Sequence, residues 1–441
     1  MVKTMNKKIY IPIILTCTAI LGAAWYVAVN TSSTTEKQLL LINEAVQMME
    51  SGIYIRAVPL LEEAANYDAA YTAKAEKELK RAYLELMENR GFTRRYTTLL
   101  EKQLSRKDVA SEVFIEAAEF YLNSQKIGTA LTILKDGLKR INCPEIEKLY
   151  EKSRYAYELS WVRYDEVTAM FDGTAGVLNE GKWGIARTDG TLIIPNKYDK
   201  ISTFFQGIAI VREGGEIYAI DEKTNRLAVP EQAITDFKNL SGGRVALKTD
   251  EGWRRASSDL ESGAKVFEDI GMYSEGFVSA KTDGKWGVID LGTDWLIAPK
   301  YEGIVMDELG RSVGQTAVFV KDGDVVKLFS GGKWIGEEFD DARPFSNEGY
   351  ASVKKNGKWG FIDTTGELKI DYKFDDALSF SGHLAAVREG EHWGFINLQG
   401  DIVIAAEFYD VKCFSQGSAP VKTDRGWQFL TLIEFKGGLT L

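Results

Sequence analysis

The sequence predicts a multidomain fold: an N-terminal transmembrane helix, a segment of α-helical hairpins, and a C-terminal all-β repeat domain. Three observations predict it. A phrase read most clearly at residues 353–363 (VKKNGKWGFID) returns eight times between Val177 and Leu432. Of the 41 glycines, 5 lie in residues 1–160 and 36 follow, which marks a change from helix to turn-rich β structure. Residues 9–29 carry no charge.

The uncharged run at residues 9–29 follows Lys3, Lys7 and Lys8. As a helix it spans roughly 31 Å, about one hydrocarbon core of a bilayer. The lysines predict that residues 1–8 form a cytoplasmic tail and that the bulk of the chain lies outside the cytoplasmic membrane, held by a single-pass signal anchor. A cleaved signal peptide is the alternative, but the run lacks a small-x-small cleavage site. Residues 30–36 are predicted to form a linker.

Charge and cysteine content limit which partners and which covalent cross-links the sequence predicts. Lysine and arginine total 54 against 64 acidic residues, a net charge of −10, and no basic patch stands out, which argues against a nucleic-acid partner. Of the three cysteines, Cys17 lies in the uncharged run and Cys143 and Cys413 lie in different predicted domains. The sequence therefore predicts no disulfide framework.

Residues 37–159 are predicted to be helical because their apolar positions recur at helical spacing. Gly52, followed by Ala57 and Ala64, resembles the tetratricopeptide (TPR) pattern, in which glycine ends one helix and small residues let the next helix approach closely. The resemblance implies about three helical hairpins. Two interpretations stay open: a spacer that holds the β domain off the membrane, which is slightly favoured, or a groove for a partner peptide.

The repeat domain is predicted over residues 161–436 as eight units. Such a fixed period is typical of architectures in which each unit buries its apolar face only against its neighbours. Eight units fit a propeller-like ring or an open β-solenoid. The ring is favoured because closure removes exposed edges and neither outermost unit becomes a polar cap. The repeated position is filled, at intervals of 34, 36, 33, 39, 34, 34 and 34 residues, by Trp183, Ile217, Trp253, Trp286, Val325, Trp359, Trp393 and Trp427.

Each unit is predicted to contain a β-hairpin. Asn356-Gly357 are favoured central residues of a two-residue type I′ turn, and folding there pairs Lys354 with Trp359. Both faces of the hairpin are then apolar, so neighbouring units must cover both. Glycine follows the tryptophan in four units, which predicts close approach by a neighbouring unit. The faces carry Ala351, Val353 and Ile362 on one side and Trp359 and Phe361 on the other, and the four glycines are Gly184, Gly287, Gly360 and Gly394.

These residues resemble a known family. Lys-Trp-Gly at 182–184, 285–287 and 358–360, with FID following at 361–363, is similar to the bacterial WG repeat, also called the KWG repeat. The resemblance covers about 270 residues of the chain. It implies a bacterial protein with an all-β repeat domain and no catalytic residues to carry over.

The six motif tryptophans are predicted to be structural repeat positions that pack in the core, because aromatic side chains contribute much of the buried area of a protein. The alternative is an aromatic ladder that binds sugars or choline. In five units a basic residue precedes the tryptophan by five positions, cross-strand from its indole in the predicted hairpin. We expect these cations to lie over the rings, within about 6 Å. They are Lys248, Lys281, Lys354, Arg388 and Lys422.

The sequence predicts no catalytic, cofactor-binding or metal-ligating residue. His383 and His392 have no motif partner and are read as exposed strand-end residues. Acidic residues recur at one phase of the repeat, which favours turn and strand-end roles over a catalytic pair. They are Asp199, Asp340, Asp375 and Asp410.

The function favoured by these observations is a membrane-anchored, non-enzymatic binding or scaffolding protein of the bacterial cell envelope. Its partner would be a protein or an envelope polymer. One alternative is an enzyme acting on envelope glycans through carboxylates on the repeat ring, and another is an extracytoplasmic ligand sensor. Carboxylates from several units converging in one cleft would favour the enzyme.

Overall fold

A computed structural model describes residues 33–67, 69–292 and 294–436. These form two compact units, one ending at Tyr150 and the other beginning at Glu151. The predicted fold class has to be corrected: a helical N-terminal region precedes an eight-bladed β-propeller that takes up most of the chain. Within the described ranges no helix is long and apolar enough to cross a membrane. The predicted anchor, residues 9–29, lies outside the described residues.

The first unit is built from helices joined by short turns. Gly52, with φ +75°, follows the first helix, where a left-handed residue satisfies the helix C-terminus. Ala57 and Ala64 are fully buried, as close helix packing requires. The structure gives a helical region and does not support its finer assignment to TPR repeats. The helices are α1 (33–50), α2 (Tyr54–Ala65), α3 (Thr72–Glu85), α4 (Arg90–Leu104), α5 (Ser111–Asn123), α6 (Ile127–Arg140) and α7 (Pro144–Ser153).

The second unit contains eight four-stranded antiparallel sheets, each one blade. Blades 1 to 4 are β2 (Glu166–Val167), β3 (Thr174–Asn179), β4 (Lys182–Arg187), β5 (Leu192–Tyr198); β6 (Lys200–Ile201), β7 (Ile208–Glu213), β8 (Glu216–Asp221), β9 (Arg226–Ala228); β10 (Asp236–Phe237), β11 (Arg244–Lys248), β12 (Trp253–Ser257), β13 (Ser262–Phe267); β14 (Asp269–Ile270), β15 (Phe277–Thr282), β16 (Lys285–Asp290), β17 (Trp295–Tyr301). Blades 5 to 8 are β18 (Gly303–Ile304), β19 (Val318–Asp322), β20 (Val325–Ser330), β21 (Lys333–Phe339); β22 (Asp341–Ala342), β23 (Tyr350–Lys355), β24 (Lys358–Asp363), β25 (Leu368–Phe374); β26 (Asp376–Ala377), β27 (Ala385–Glu389), β28 (His392–Ile396), β29 (Ile402–Phe408); β30 (Asp410–Val411), β31 (Ser418–Thr423), β32 (Gly426–Leu432), β1 (Tyr157–Leu159). A short 3₁₀ turn (Ile433–Phe435) follows β32.

Blade 8 closes the ring. Its outermost strand is β1, the first strand of the unit, which pairs antiparallel with β32. The hydroxyl of Ser418 in blade 8 also donates to the carbonyl of Thr188 in blade 1, at 2.7 Å. Trp427 and Phe429 of blade 8 share one buried cluster with Val177 of blade 1. The two ends of the propeller sequence are therefore joined in one sheet and one core.

The hairpin register follows the sequence prediction. Asn356 and Gly357 both have positive φ (+52° and +79°), as a type I′ turn requires, and Lys354 pairs with Trp359. The two predicted faces pack against different blades. Ala351, Val353 and Ile362 pack with blade 5, whereas Trp359 and Phe361 pack with Ala385 and Val387 of blade 7.

The glycine after the tryptophan is required by a different contact from the predicted one. A Cβ on Gly360 would lie 2.7 Å from the carbonyl oxygen of Ile370, in the outermost strand of the same blade. Gly394 stands in the same relation to Ile404, at 2.6 Å. The register shifts between Trp359 and Phe361, so a bulge brings the two backbones together there. The close approach is within a blade and not between units.

Two phase assignments are also corrected by the strand pairing. Val326, not Val325, pairs with Phe339 as Trp359 pairs with Phe374, so the repeated position of blade 5 is Val326. In blade 7, Trp393 pairs with Phe408. Tyr409 therefore occupies the position of Asp375, and Asp410 falls one residue later. The long connection of blade 5 and the tyrosine at position 409 obscure the phase in the sequence.

The turn after β24 illustrates how acids support the strand ends. Asp363 accepts hydrogen bonds from the Thr365 hydroxyl and from the backbone N–H groups of Thr365 and Glu367, and Lys369 lies 3.0 Å away. Burial alone would raise the pKa of Asp363. The hydrogen bonds from Thr365, Lys369 and the backbone outweigh it and bring the pKa to about 2.

Candidate functional site

The candidate site is a cavity of about 660 Å³ at the centre of the propeller. Its lining comes mainly from the connections between the first and second strands, contributed by every blade except blade 3. The volume falls within the usual range for small-molecule pockets, roughly 300–1,000 Å³. A side chain or short segment of a partner can therefore enter it.

The wall of the cavity is largely aromatic. The turns that the sequence repeats as Phe-Ser before glycine place Phe345, Phe380 and Phe414 at the cavity, each packed against a phenylalanine ring in the core of the preceding blade. Phe171 and Phe205, from blades 1 and 2, are half-buried, with ring centroids 6.1 Å apart. The repeated turn was visible in the sequence, but only the ring places its copies around one space.

One connection reaches across the centre. Residues 305–317, between β18 and β19, form a link about twice as long as those of the other blades. Asn239 of blade 3 donates its side-chain N–H to the carbonyl of Leu309, at 3.1 Å, and Lys412 of blade 8 lies 2.9 Å from the Glu308 carboxylate. This crossing loop spans from blade 5 toward blades 3 and 8. In the sequence, this longer connection corresponds to the 39-residue interval between two repeated positions.

Five carboxylates and two guanidiniums line the cavity, which leaves it with three net negative charges. Both guanidiniums are already bound within the propeller. Arg311 donates to Asp307 at 2.6 Å in the crossing loop, and Arg343 donates to Asp376 at 2.7 Å. The carboxylates are Asp172, Glu275, Asp307, Glu308 and Glu348.

The carboxylates differ in how far they are engaged. Both oxygens of Glu275 accept backbone N–H groups, from Gln315 and Thr316. Glu348 accepts the backbone N–H of His383 with one oxygen, while its other oxygen is buried without a hydrogen-bond partner. Asp172 is exposed and has no hydrogen bond or ion pair among the described residues.

The thiol of Cys413 also lies at the cavity and contacts the carbonyl of Ser379 at 3.5 Å. Burial raises its pKa to about 12, and the neighbouring carboxylates of Glu308 and Asp307 add to the rise. The thiol therefore stays protonated at neutral pH. Cys143 and Cys413 are both free. Across the described ranges, no group of three or more potential ligands is arranged to hold a metal ion.

The described cavity lining includes none of the motif tryptophans, and four of them share a buried cluster with residues of the following blade. Trp253, Trp359, Trp393 and Trp427 are buried, with 4–9% of their surface exposed, whereas Trp183 and Trp286 are half-buried. This placement favours packing over ligand binding. Their contribution to stability stays a prediction.

The predicted cations lie cross-strand from their tryptophans in all five units. Only two of them reach the ring: Lys248 is 5.7 Å from Trp253 and Arg388 is 5.9 Å from Trp393. The hypothesis is wrong for the other three described pairs. A different position supplies the cation in three units, just after the first strand. The contacts are Lys238 on Trp253 at 4.8 Å, Arg343 on Trp359 at 4.8 Å and Lys412 on Trp427 at 5.4 Å.

Three of the four recurring acids act between blades and outside the cavity, whereas Asp410 accepts the N–H of the next residue, Val411. Asp375 binds Lys358 of blade 6 at 2.5 Å and accepts the N–H of Gly390, in the hairpin turn of blade 7. Asp199 makes the equivalent pair of contacts, and Asp340 caps Gly357. The hydrogen bond from Lys358 is the first cause of the lowered pKa of Asp375. These acids thus link successive hairpins.

The two histidines occupy separate turns. His383 is exposed in a first-to-second-strand turn, with φ +64°, and His392 is half-buried at the start of β28, its ring 5.3 Å from that of Tyr409. Among the described residues, the two imidazole rings are not grouped with each other or with a pair of carboxylates or thiols.

Comparison with known proteins identifies the family that the repeated sequence resembles. The family model of the WG containing repeat matches residues 183–216, 264–286, 331–359, 359–391 and 393–427, across the C-terminal region. No curated protein matches the sequence. Among solved structures, a crystal structure of the eukaryotic initiation factor is similar at 10% identity and a TM-score of 0.37, covering 58% of this chain and 78% of that one. The AfRom2 CNH domain is similar at 8% identity and a TM-score of 0.29, covering 53% and 93%. A WG-repeat β-propeller suggests a protein-interaction module.

Proposed function

We propose that this chain is a non-enzymatic binding or scaffolding protein whose propeller takes a partner protein at its central cavity. The observation that supports the proposal most directly is the cavity itself. Turns from seven blades meet around one space of about 660 Å³, with half-buried phenylalanine rings and carboxylates at its wall. In protein interfaces, a few aromatic side chains buried in such a pocket typically contribute most of the binding energy.

The glycan-acting enzyme is the second candidate, because carboxylates from four blades do line one cavity. Glycoside hydrolysis needs two carboxyl groups about 5–10 Å apart that are free to act on substrate. Glu275 holds two backbone N–H groups, Asp307 binds Arg311, and Glu308 binds Lys412. Since these three carboxylates hold the cavity wall together, only Asp172 and one buried oxygen of Glu348 are left without partners among the described residues, and binding is the better supported role.

Placement in the bacterial cell envelope is a separate part of the proposal and rests on the sequence alone. The uncharged residues 9–29 behind three lysines support attachment to the cytoplasmic membrane, with the bulk of the chain outside. An envelope polymer is then the other class of partner. Fractionation of cells expressing the full chain, with protease added to intact spheroplasts, tests this placement: digestion without lysis is expected, and protection would contradict it.

Partner capture by the full chain tests the central proposal. Ser381 lines the cavity and is half-buried, so Ser381→Trp would fill part of the space. Ser258, half-buried in an outer turn of blade 3, provides the matched control Ser258→Trp. We expect Ser381→Trp to lose partners that the wild type and the control both retain from envelope extracts. Equal capture by all three proteins would mean that the cavity is not the binding site.

A further inference from the structure

We infer that the central cavity binds a positively charged side chain, an arginine guanidinium or a lysine ammonium, presented by a basic segment of the partner. This inference rests on the proposed function and names the chemistry of the ligand. Three features of the cavity carry it: uncompensated negative charge, an aromatic wall, and buried acceptor atoms without partners.

The charge balance favours a cation. The five lining carboxylates exceed the two guanidiniums, and both guanidiniums are neutralised by Asp307 and Asp376. An incoming anion would therefore find no free cation at the wall. A cation would find Asp172, which has no partner among the described residues. Charges facing a concave surface of low dielectric attract an opposite charge more strongly than they would in open water.

The aromatic wall adds a second attraction. Phe171, the neighbour of Asp172, lies beside Phe205 with a centroid separation of 6.1 Å. Both rings are half-buried and line the cavity. Cations within about 6 Å of a ring face are attracted by its quadrupole. The propeller already uses this contact within blade 6, where the Arg343 guanidinium lies 4.8 Å from the Trp359 ring.

Two buried oxygens on the blade 6 side lack hydrogen-bond partners. The Ser346 hydroxyl lies on a residue that is 8% exposed, and the second carboxylate oxygen of Glu348, in the same turn, is also buried. Buried polar atoms in proteins are normally satisfied, and an unsatisfied one is costly. A guanidinium or ammonium carries several N–H donors and no acceptor, which is the chemistry that complements an oxygen lacking a donor.

The test uses the full chain and two labelled octapeptides, GSGRRGSG and GSGEEGSG, in fluorescence anisotropy titrations. We expect the arginine peptide to bind, with affinity that falls as salt is raised, and the glutamate peptide not to bind. The double variant Asp172→Asn, Glu348→Gln should weaken arginine-peptide binding at least tenfold. Asparagine tolerates the positive φ of residue 172 (+48°), and glutamine keeps an oxygen for the His383 N–H, so the fold is retained.

The matched control is Glu391→Gln, which removes an exposed carboxylate from a hairpin turn outside the cavity and should leave binding unchanged. Equal binding of the two peptides, or wild-type affinity in the double variant, would overturn the inference. Such a result is distinct from failure of the proposed function. If Ser381→Trp still abolishes partner capture, the cavity binds a partner through other chemistry. If Ser381→Trp leaves capture intact, the proposed site is wrong, and this inference falls with it.

Discussion

Replacing Gly360 by alanine tests the close approach between two strands of one blade, β24 and β25. The added Cβ would lie 2.7 Å from the Ile370 carbonyl oxygen and 3.0 Å from the Asp371 carbonyl carbon. Carbon–oxygen contacts across sheets are about 3.3–3.6 Å, so β25 must move by roughly 0.6 Å at its bulge. Overpacking of this kind costs about 1–3 kcal/mol. At about 2–4 °C per kcal/mol for a unit of this size, the melting temperature should fall by roughly 5 °C.

Gly336→Ala is the matched control, because Gly336 also lies in an outermost strand, β21, without positive φ, and nothing lies within 4 Å of its Cβ position. That variant should be unchanged or stabilised by about 0.4–1 kcal/mol, since alanine restricts the unfolded chain. Thermal unfolding of the full chain, followed by far-ultraviolet circular dichroism, measures both. Equal melting temperatures would refute the claim that the bulge requires glycine.

Three further predictions concern the same propeller. Trp359→Ala should cost about 3–5 kcal/mol in denaturant unfolding, because Trp359 is 4% exposed, whereas Trp161→Ala, at a residue 94% exposed, should cost almost nothing; equal effects would contradict core packing. Because the pKa of Asp363 is lowered to about 2 in the fold, the stability it contributes is present above its ordinary value near 4 and is lost as pH falls through 2. The stability difference between wild type and Asp363→Asn should therefore shrink between pH 4 and 2, and a constant difference would contradict this. Glu158→Pro should lower the melting temperature by several degrees, because the pairing of Glu158 with Thr431 places its N–H in the closing sheet; an unchanged value would show that this strand is dispensable.

Local features of the blade could be predicted from sequence because they depend on neighbouring residues. Asn356-Gly357 specifies its turn by backbone conformation, and the turn then fixes the register of Lys354 with Trp359. The two apolar faces follow from alternation. Side-chain placement was less predictable. Whether a cation lies over an indole depends on competing partners, as for Arg343, which also binds Asp376 of the next blade.

The candidate site could not be predicted because its parts meet only through the closed ring. The crossing loop is held by contacts between residues 70 and 104 positions apart, Asn239 with Leu309 and Glu308 with Lys412. No local pattern encodes such separations. The acids that recur at a fixed phase, Asp199, Asp340 and Asp375, link successive hairpins and lie outside the cavity. The carboxylates of the cavity, such as Asp172, lie at a position of the repeated turns whose residue type varies from unit to unit.

The closing strand also affects how the chain is made. Ser160, just after β1, donates its backbone N–H to Phe429, 269 residues further on. At translation rates of roughly 5–20 residues per second, β1 waits for its partner for about 13–54 seconds. During that interval an unpaired strand edge and one apolar face of blade 1 are open to other nascent chains. Synthesis of the last blade thus supplies the strand that covers this edge.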